Sequence, residues 1–314
     1  MIVFHNEPQP TEHESDKDFD IKRQNLAAQI SDYLSTHDKF QGKQVGITFP
    51  ATGSLTSIVE SSGKKFVFKI LPHAKAEAQF LNAWEKAGVR VPHVIEEGRM
   101  GEYVYILMEY VDAPTLAKAY APEELAEKGI YREMGQLLRR MHAPKAEGYG
   151  PVIGGNAAHS GFREWFLGAD VIAAIAYGRA HSLLGEEHGS MREAFEILQA
   201  HVSDQNHSSF CHDDFSAANI LATHPMTVVD PNPIFNNGYI DLGRSLVIHI
   251  SQGMSQQRQL VEGYFAGGDY SERVLHAAVL LNAYLKFCYW HNVKKSRRIE
   301  NVRNYLRERR ELLA

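Results

Sequence analysis

Cysteine is scarce in this chain, with two in 314 residues, Cys211 and Cys288. They lie far apart in apolar surroundings. That excludes a disulfide-stapled scaffold and predicts free thiols in a reducing compartment. Cys211 reads as core at a strand end, not as a nucleophile. Basic runs are also missing. Lys and Arg number 33 against 38 Asp and Glu, for a net charge of −5, so electrostatics offers no case for nucleic acid. No stretch approaches the roughly 18 apolar residues of a membrane span; the longest run, 171–177, suits a buried helix. Residues 1–20 are polar and acidic, without the apolar centre of a secretory signal. Together these absences predict a cytoplasmic chain with no nucleic-acid or membrane partner; oligomeric state leaves no trace in the sequence. The sixteen histidines are scattered, without an H-x-x-x-H or Cys/His cluster. Internal repeats, low-complexity tracts and a Walker phosphate loop are absent.

What is there suffices for two lobes, each with a core. After a polar leader (1–20), apolar spacing predicts a helix over 21–34. Alternation predicts strands over 44–49, 57–60 and 65–70, the last two joined by Ser61-Ser62-Gly63-Lys64. A helix over 74–87 and a second hairpin (94–97 and 103–110, around Gly98-Arg99-Met100-Gly101) complete an antiparallel sheet with one inserted helix. Past Val111-Asp112-Ala113-Pro114 the period turns helical, over 122–142, 161–182, 190–203, 241–251, 255–266, 270–293 and 296–312. The fold class is therefore α+β, with a β-rich lobe over 21–111 and a mainly helical lobe over 112–314.

The chemistry concentrates in Phe210-Cys211-His212-Asp213-Asp214-Phe215-Ser216-Ala217-Ala218-Asn219, spaced H-x-D-x-x-x-x-N. A short hairpin follows: 219–222, a turn at Thr223-His224-Pro225-Met226, then 227–230. An antiparallel pair sets the start of one strand beside the end of the other. Asn219 and Asp230 should thus meet at its open end, with Asp214 in the loop before. One carboxylate to orient a hydroxyl, plus an amide and a carboxylate to hold Mg²⁺, is a phosphoryl-transfer layout.

Such a site also needs cations and amides on the donor phosphates. Gly53 and Ser54 lie in a small-residue turn (50–57) whose amides suit phosphate. Lys69 sits within an apolar strand, on the face opposite Phe66, Phe68 and Ile70. Glu77, Leu81 and Trp84 share one face of the next helix, so Glu77 points inward and needs a cation. Lys69 is the nearest, with Glu85 the fallback partner. At the lobe junction, backbone groups of Glu109 and Val111 are placed to pair with an adenine edge. The sequence does not separate ATP from GTP.

From about residue 45 to 250, these features resemble the aminoglycoside phosphotransferase and choline kinase superfamily, small-molecule relatives of protein kinases. His212-x-Asp214-x-x-x-x-Asn219 with Asp230 is similar to the family's H-G-D-x-x-x-x-N and following metal-binding Asp. Lys69, Glu77 and the 106–111 junction follow in order. Gly148-Tyr149-Gly150-Pro151 and Phe162-Arg163-Glu164-Trp165-Phe166 resemble a segment of antibiotic kinases, hygromycin kinases among them. Tyr239-Ile240-Asp241-Leu242 resembles the helix start whose Asp braces the catalytic loop. The resemblance implies a protein-kinase-like two-lobe fold and an ATP-dependent kinase of a small hydroxylated molecule. It assigns Asp214 to the acceptor hydroxyl, Asn219 and Asp230 to Mg²⁺, Lys69 to the α/β-phosphates with Glu77 orienting it, and His212 and Asp241 to structural support. An aminoglycoside is the favoured acceptor because the chain is acidic and its second lobe carries Asp213, Glu186 and Glu187; choline and sugars are the alternatives. Two departures stand out. Asp213 replaces the family's Gly, and should point away from Asp214 if the backbone is extended. Asp230-Pro231-Asn232-Pro233 replaces an Asp followed by an aromatic. A protein kinase is disfavoured by the missing D-F-G, A-P-E and activation segment. A metal hydrolase on His212, Asp213 and Asp214 leaves Lys69 and Glu77 unexplained, and a catalytically silent nucleotide binder is disfavoured because every polar position is filled.

Overall fold

The computed structural model describes residues 26–40, 45–48, 55–70, 74–182, 187–203, 207–248, 254–292 and 299–304. Of these, residues up to Asn82 and from Val91 to Asp112 form one compact unit. Residues Ala83–Arg90 and those from Ala113 onward form the second.

The first unit is a five-stranded antiparallel sheet in the order β1-β2-β3-β5-β4. Its strands are β1 (Val45–Thr48), β2 (Thr56–Ser61), β3 (Lys64–Ile70), β4 (Val94–Met100) and β5 (Tyr103–Glu109). Ser62 and Gly63, with φ of 53° and 73°, turn β2 into β3. Helix α1 (26–36) covers one face. Leu26, Ile30 and Leu34 pack there with Phe68, Ile70, Tyr105 and Leu107, all buried. Helix α2 (Ala74–Lys86) follows β3, and its end enters the second unit.

The second unit carries α3 (Leu116–Ala119), α4 (Pro122–Glu127), α5 (Ile130–Met141), α6 (Phe162–Phe166), α7 (Ala169–Ala180), α8 (Glu187–Ser203), α9 (Gly238–Ile248), α10 (Met254–Phe265) and α11 (Glu272–Asn292). Two helices expected to be continuous are split by glycine. Gly129, at φ 71°, separates α4 from α5, a conformation glycine adopts without the Cβ penalty. Gly168 starts α7 after α6 has ended. Helix α9 begins at Gly238, three residues before its expected start, because the Asn237 side chain accepts from the Tyr239 amide at 2.9 Å and caps it. The helix expected over 296–312 is described only at 299–304.

A second five-stranded antiparallel sheet, unanticipated in this lobe, has the order β6-β9-β12-β7-β8. It joins β6 (Lys145–Ala146), β7 (Tyr149–Ile153), β8 (Asn156–His159), β9 (Ser208–Cys211) and β12 (Ile234–Asn236). These strands are two to five residues long, too short for alternation to register, and glycine and proline interrupt them. The sheet positions the chemistry: β9 ends at Cys211, immediately before His212, and β12 pairs with it three residues after Pro231.

Candidate active site

On β3, Lys69 pairs in register with Thr56 and Ile106. Phe68 and Ile70 on either side enter the core under α1, so strand alternation turns Lys69 to the other face. There Nζ donates to both carboxylate oxygens of Glu77, at 2.9 and 2.8 Å. Lys69 is 5% and Glu77 1% exposed, so desolvation is offset by a two-oxygen contact. Glu85, the fallback partner, is exposed. Glu109 closes β5: its N–H donates to the His93 carbonyl at 2.9 Å, and its carboxylate accepts from the His93 amide at 3.3 Å. Val111 lies two residues further on, half-buried. Gly53 and Ser54 lie outside the described residues.

In the second unit the loop after β9 carries the acidic residues. Its single-turn helix Ala217–Asn219 runs into β10 (Ile220–Leu221), which pairs with β11 (Thr227–Val228). The Val229 amide donates to the Asn219 carbonyl at 3.0 Å, which sets Asp230 next to Asn219 at the hairpin's open end. Asn219 Nδ2 donates to the Asp214 carbonyl at 2.8 Å and to its Oδ2 at 3.1 Å. Both amide hydrogens are thereby directed at Asp214, so the oxygen Oδ1 is the group left to a cation. Asp214 and Asp230 are exposed. A carboxylate and an amide oxygen are hard donors that fit Mg²⁺.

The loop is held from behind. Asp241, on the first turn of α9, accepts the amides of His212 (2.8 Å) and Asp213 (2.9 Å) and a hydrogen bond from His142 Nε2 (2.9 Å). Burial alone would raise the Asp241 carboxyl; the hydrogen bond and charge of His142, with His212, bring it below its ordinary value. It braces the loop and does not cap the helix. His212 is fully buried and its pKa is lowered by desolvation. The neutral ring accepts the Asp214 amide at Nδ1 (3.3 Å) and donates from Nε2 to the Val229 carbonyl (3.1 Å). Trp84 lies parallel to it, planes within 7° and centroids 5.9 Å apart. Both ring nitrogens of His212 are thus engaged by backbone groups, which gives no support to a hydrolase centre on His212, Asp213 and Asp214. Among the described residues His142, Cys211 and Asp241 have the types and spacing of metal ligands, but hydrogen bonds engage them: His142 Nδ1 meets the Tyr264 hydroxyl at 2.8 Å and Cys211 Sγ faces the Asn236 carbonyl at 3.5 Å.

Asp213 differs from expectation. Its backbone is left-handed, φ 59°, not extended, which accounts for the glycine the family places here. Its carboxylate accepts from Arg244 Nη2 at 2.9 Å and from Asn232 Nδ2 at 2.7 Å. That leaves the contact with a cationic acceptor expected of it without support. Glu186 is outside the described residues, as is the side chain of Glu187. Arg244, His142 and the partnership of Trp84 with His212 leave no signal in the sequence; each reaches the loop from far along the chain, and no local pattern marks that. The Gly148–Pro151 and Phe162–Phe166 segments do meet. Gly150 lies so close to Trp165 that a Cβ would come within 2.8 Å of its ring.

Fold and site together define a protein-kinase-like phosphotransferase that acts on the hydroxyl of a small molecule. The APH family model, described as the phosphotransferase enzyme family, matches residues 51–274, and the chain belongs to that family. Among solved structures, aminoglycoside phosphotransferase APH(4)-Ia is 15% identical, covering 90% of this chain and 98% of its own, with a TM-score of 0.63. A thermostable mutant of that enzyme, in ternary complex with AMP-PNP and hygromycin B, is 16% identical, covering 88% and 98%, with a TM-score of 0.63. A putative fructosamine-3-kinase from Thermobifida fusca YX-ER1 is 17% identical, covering 88% and 98%, with a TM-score of 0.58. At such identities the likeness is one of fold. No curated protein matches the sequence. Among the described residues no helix is long and apolar enough to cross a membrane.

Proposed function

We propose that this chain is an ATP-dependent O-phosphotransferase whose favoured acceptor is an aminoglycoside-type antibiotic. The observation that carries the reading is the exposed Asp214 carboxylate, bonded to the Asn219 amide at 3.1 Å beside the hairpin end that bears Asp230. Asp214 orients the acceptor hydroxyl and takes its proton as the oxygen bonds to the γ-phosphorus and the β–γ bridge breaks. Lys69, fixed by Glu77, carries positive charge to the α/β-phosphates. Asn219 Oδ1 and Asp230 would hold Mg²⁺, which supplies charge neutralisation on the donor phosphates. Amides at Gly53 and Ser54 cover those phosphates, and backbone groups of Glu109 and Val111 receive the adenine. His212 and Asp241 keep the loop in shape. Catalysis is positioning and electrostatics, and the cytoplasm, where ATP is, is its place of work.

The acceptor reading is supported by family membership and by the hygromycin B complex of APH(4)-Ia. Because Arg244 engages Asp213, acidity no longer singles out a polycation, so choline and sugars belong in the same screen. The test is nucleotide consumption with Mg²⁺ and ATP or GTP against aminoglycosides, choline and sugars. Asp214→Asn should lower transfer about 10²- to 10⁴-fold with nucleotide binding retained. Full activity in that variant would sink the mechanism.

A further inference from the structure

The two departures from the family pattern meet in space. Asp213 stands where the family has glycine, and Asn232 lies in the Pro231-Asn232-Pro233 segment just after Asp230. Asn232 Nδ2 donates to Asp213 Oδ2 at 2.7 Å, and the Asn232 amide donates to the His212 carbonyl at 2.9 Å. Arg244 on α9 grips Asp213 twice, Nη2 to the same Oδ2 at 2.9 Å and Nε to the backbone carbonyl. The Asp213 amide is held by Asp241 at 2.9 Å. One carboxylate oxygen thus ties the residue before Asp214 to the segment that follows Asp230. Both Asp213 and Asp230 sit at positive φ, 59° and 56°, a region non-glycine residues hold only when their surroundings fix them.

We propose that Asp213, Asn232 and Arg244 form a clamp that sets Asp230 against Asp214 and Asn219, which makes Asp213 a positioning residue for the cation that accompanies the donor nucleotide. The inference rests on the phosphotransferase reading above. Family members with glycine here reach the left-handed turn without strain but have no side chain to reach the segment after the metal-binding Asp. This chain accepts the strain, and Arg244 and Asn232 hold the side chain that replaces the glycine. Proline on both sides of Asn232 limits its backbone, so a hold on its side chain is transmitted to Asp230 two residues away.

The test is titration of Mn²⁺ into the full chain saturated with AMP-PNP, followed by calorimetry. Asp213→Gly suits the backbone and should keep its thermal transition and its metal-free nucleotide affinity, while binding Mn²⁺ about tenfold more weakly. Asn232→Ala should do the same without touching the left-handed turn, which keeps the test open if the first variant folds poorly. The double variant should be no worse than the weaker single, because either change opens the same clamp. Wild-type Mn²⁺ affinity in both single variants overturns the clamp alone, as does a double variant whose loss is the product of the singles. A wild-type chain that takes up no Mn²⁺ with AMP-PNP overturns the phosphotransferase reading and the clamp with it.

Discussion

The Lys69–Glu77 pair shows how a buried ion pair is conditional on both partners. Lys69→Met leaves Glu77 charged and enclosed, and should destabilise the fold by about 3–5 kcal/mol. Lys69→Met with Glu77→Leu should recover most of that in urea unfolding while transfer stays abolished; no recovery would mean that the packing, not the stranded charge, sets the cost. Asp213 yields a pH prediction. Burial raises its carboxyl from 3.8 to about 6, with Arg244 pulling down, Asp241 pushing up, and Lys286 and Asn232 again pulling down. A raised carboxyl binds its proton more tightly folded than unfolded, so its contribution is full below 3.8 and is lost as pH climbs through about 6. Relative to Asp213→Asn, the wild type should lose stability across that window, and parallel stability curves would refute the assignment. The pairing of Lys69 with Glu77 was legible because a strand of period two and a helix of period 3.6 each aim one polar side chain at the same face. The Asp213–Arg244 contact was not, since Arg244 Nε reaches a carbonyl thirty-one residues back and a left-handed backbone leaves no mark on neighbouring residues.

Among the elements, α5 and α10 cross at two glycines. A Cβ on Gly135 would fall 2.1 Å from the Leu260 carbonyl oxygen, and one on Gly263 2.0 Å from that of Arg132. Both obstacles are backbone and cannot turn aside, so Gly263→Ala should destabilise by about 3 kcal/mol, measured by thermal unfolding. A near-neutral result would mean that the helices separate freely. Neither glycine stood out in the sequence; each reads as a weak spot in a helix until its neighbour is known. The longer β-strands and α2 were readable from period alone. The second sheet was hidden by strands as short as Lys145–Ala146, whose order arises from partners distant in the chain, as when β12 pairs with both β9 and β7.

For the whole molecule, ligand linkage offers a test independent of any acceptor. Saturation with Mg²⁺ and AMP-PNP at a hundred times Kd should add about 2.7 kcal/mol of stability, seen as a rise in the thermal transition. An unmoved transition would contradict nucleotide binding. The α+β class and the β-to-α order were legible because composition shifts near residues 111–114. The assignment of 83–90 to the second unit was not, because those residues continue a helix that begins in the first. That short segment has a consequence for dissecting the protein. Trp84 stacks on His212 and donates from Nε1 to the Met141 carbonyl at 3.0 Å, and the Arg90 carbonyl accepts the Val228 amide at 3.0 Å. A fragment started at Ala113 would therefore leave His212 without its covering ring and β11 without an outer partner. The loop that bears Asp214 cannot be excised with the sequence that follows it; part of its foundation is encoded more than a hundred residues upstream.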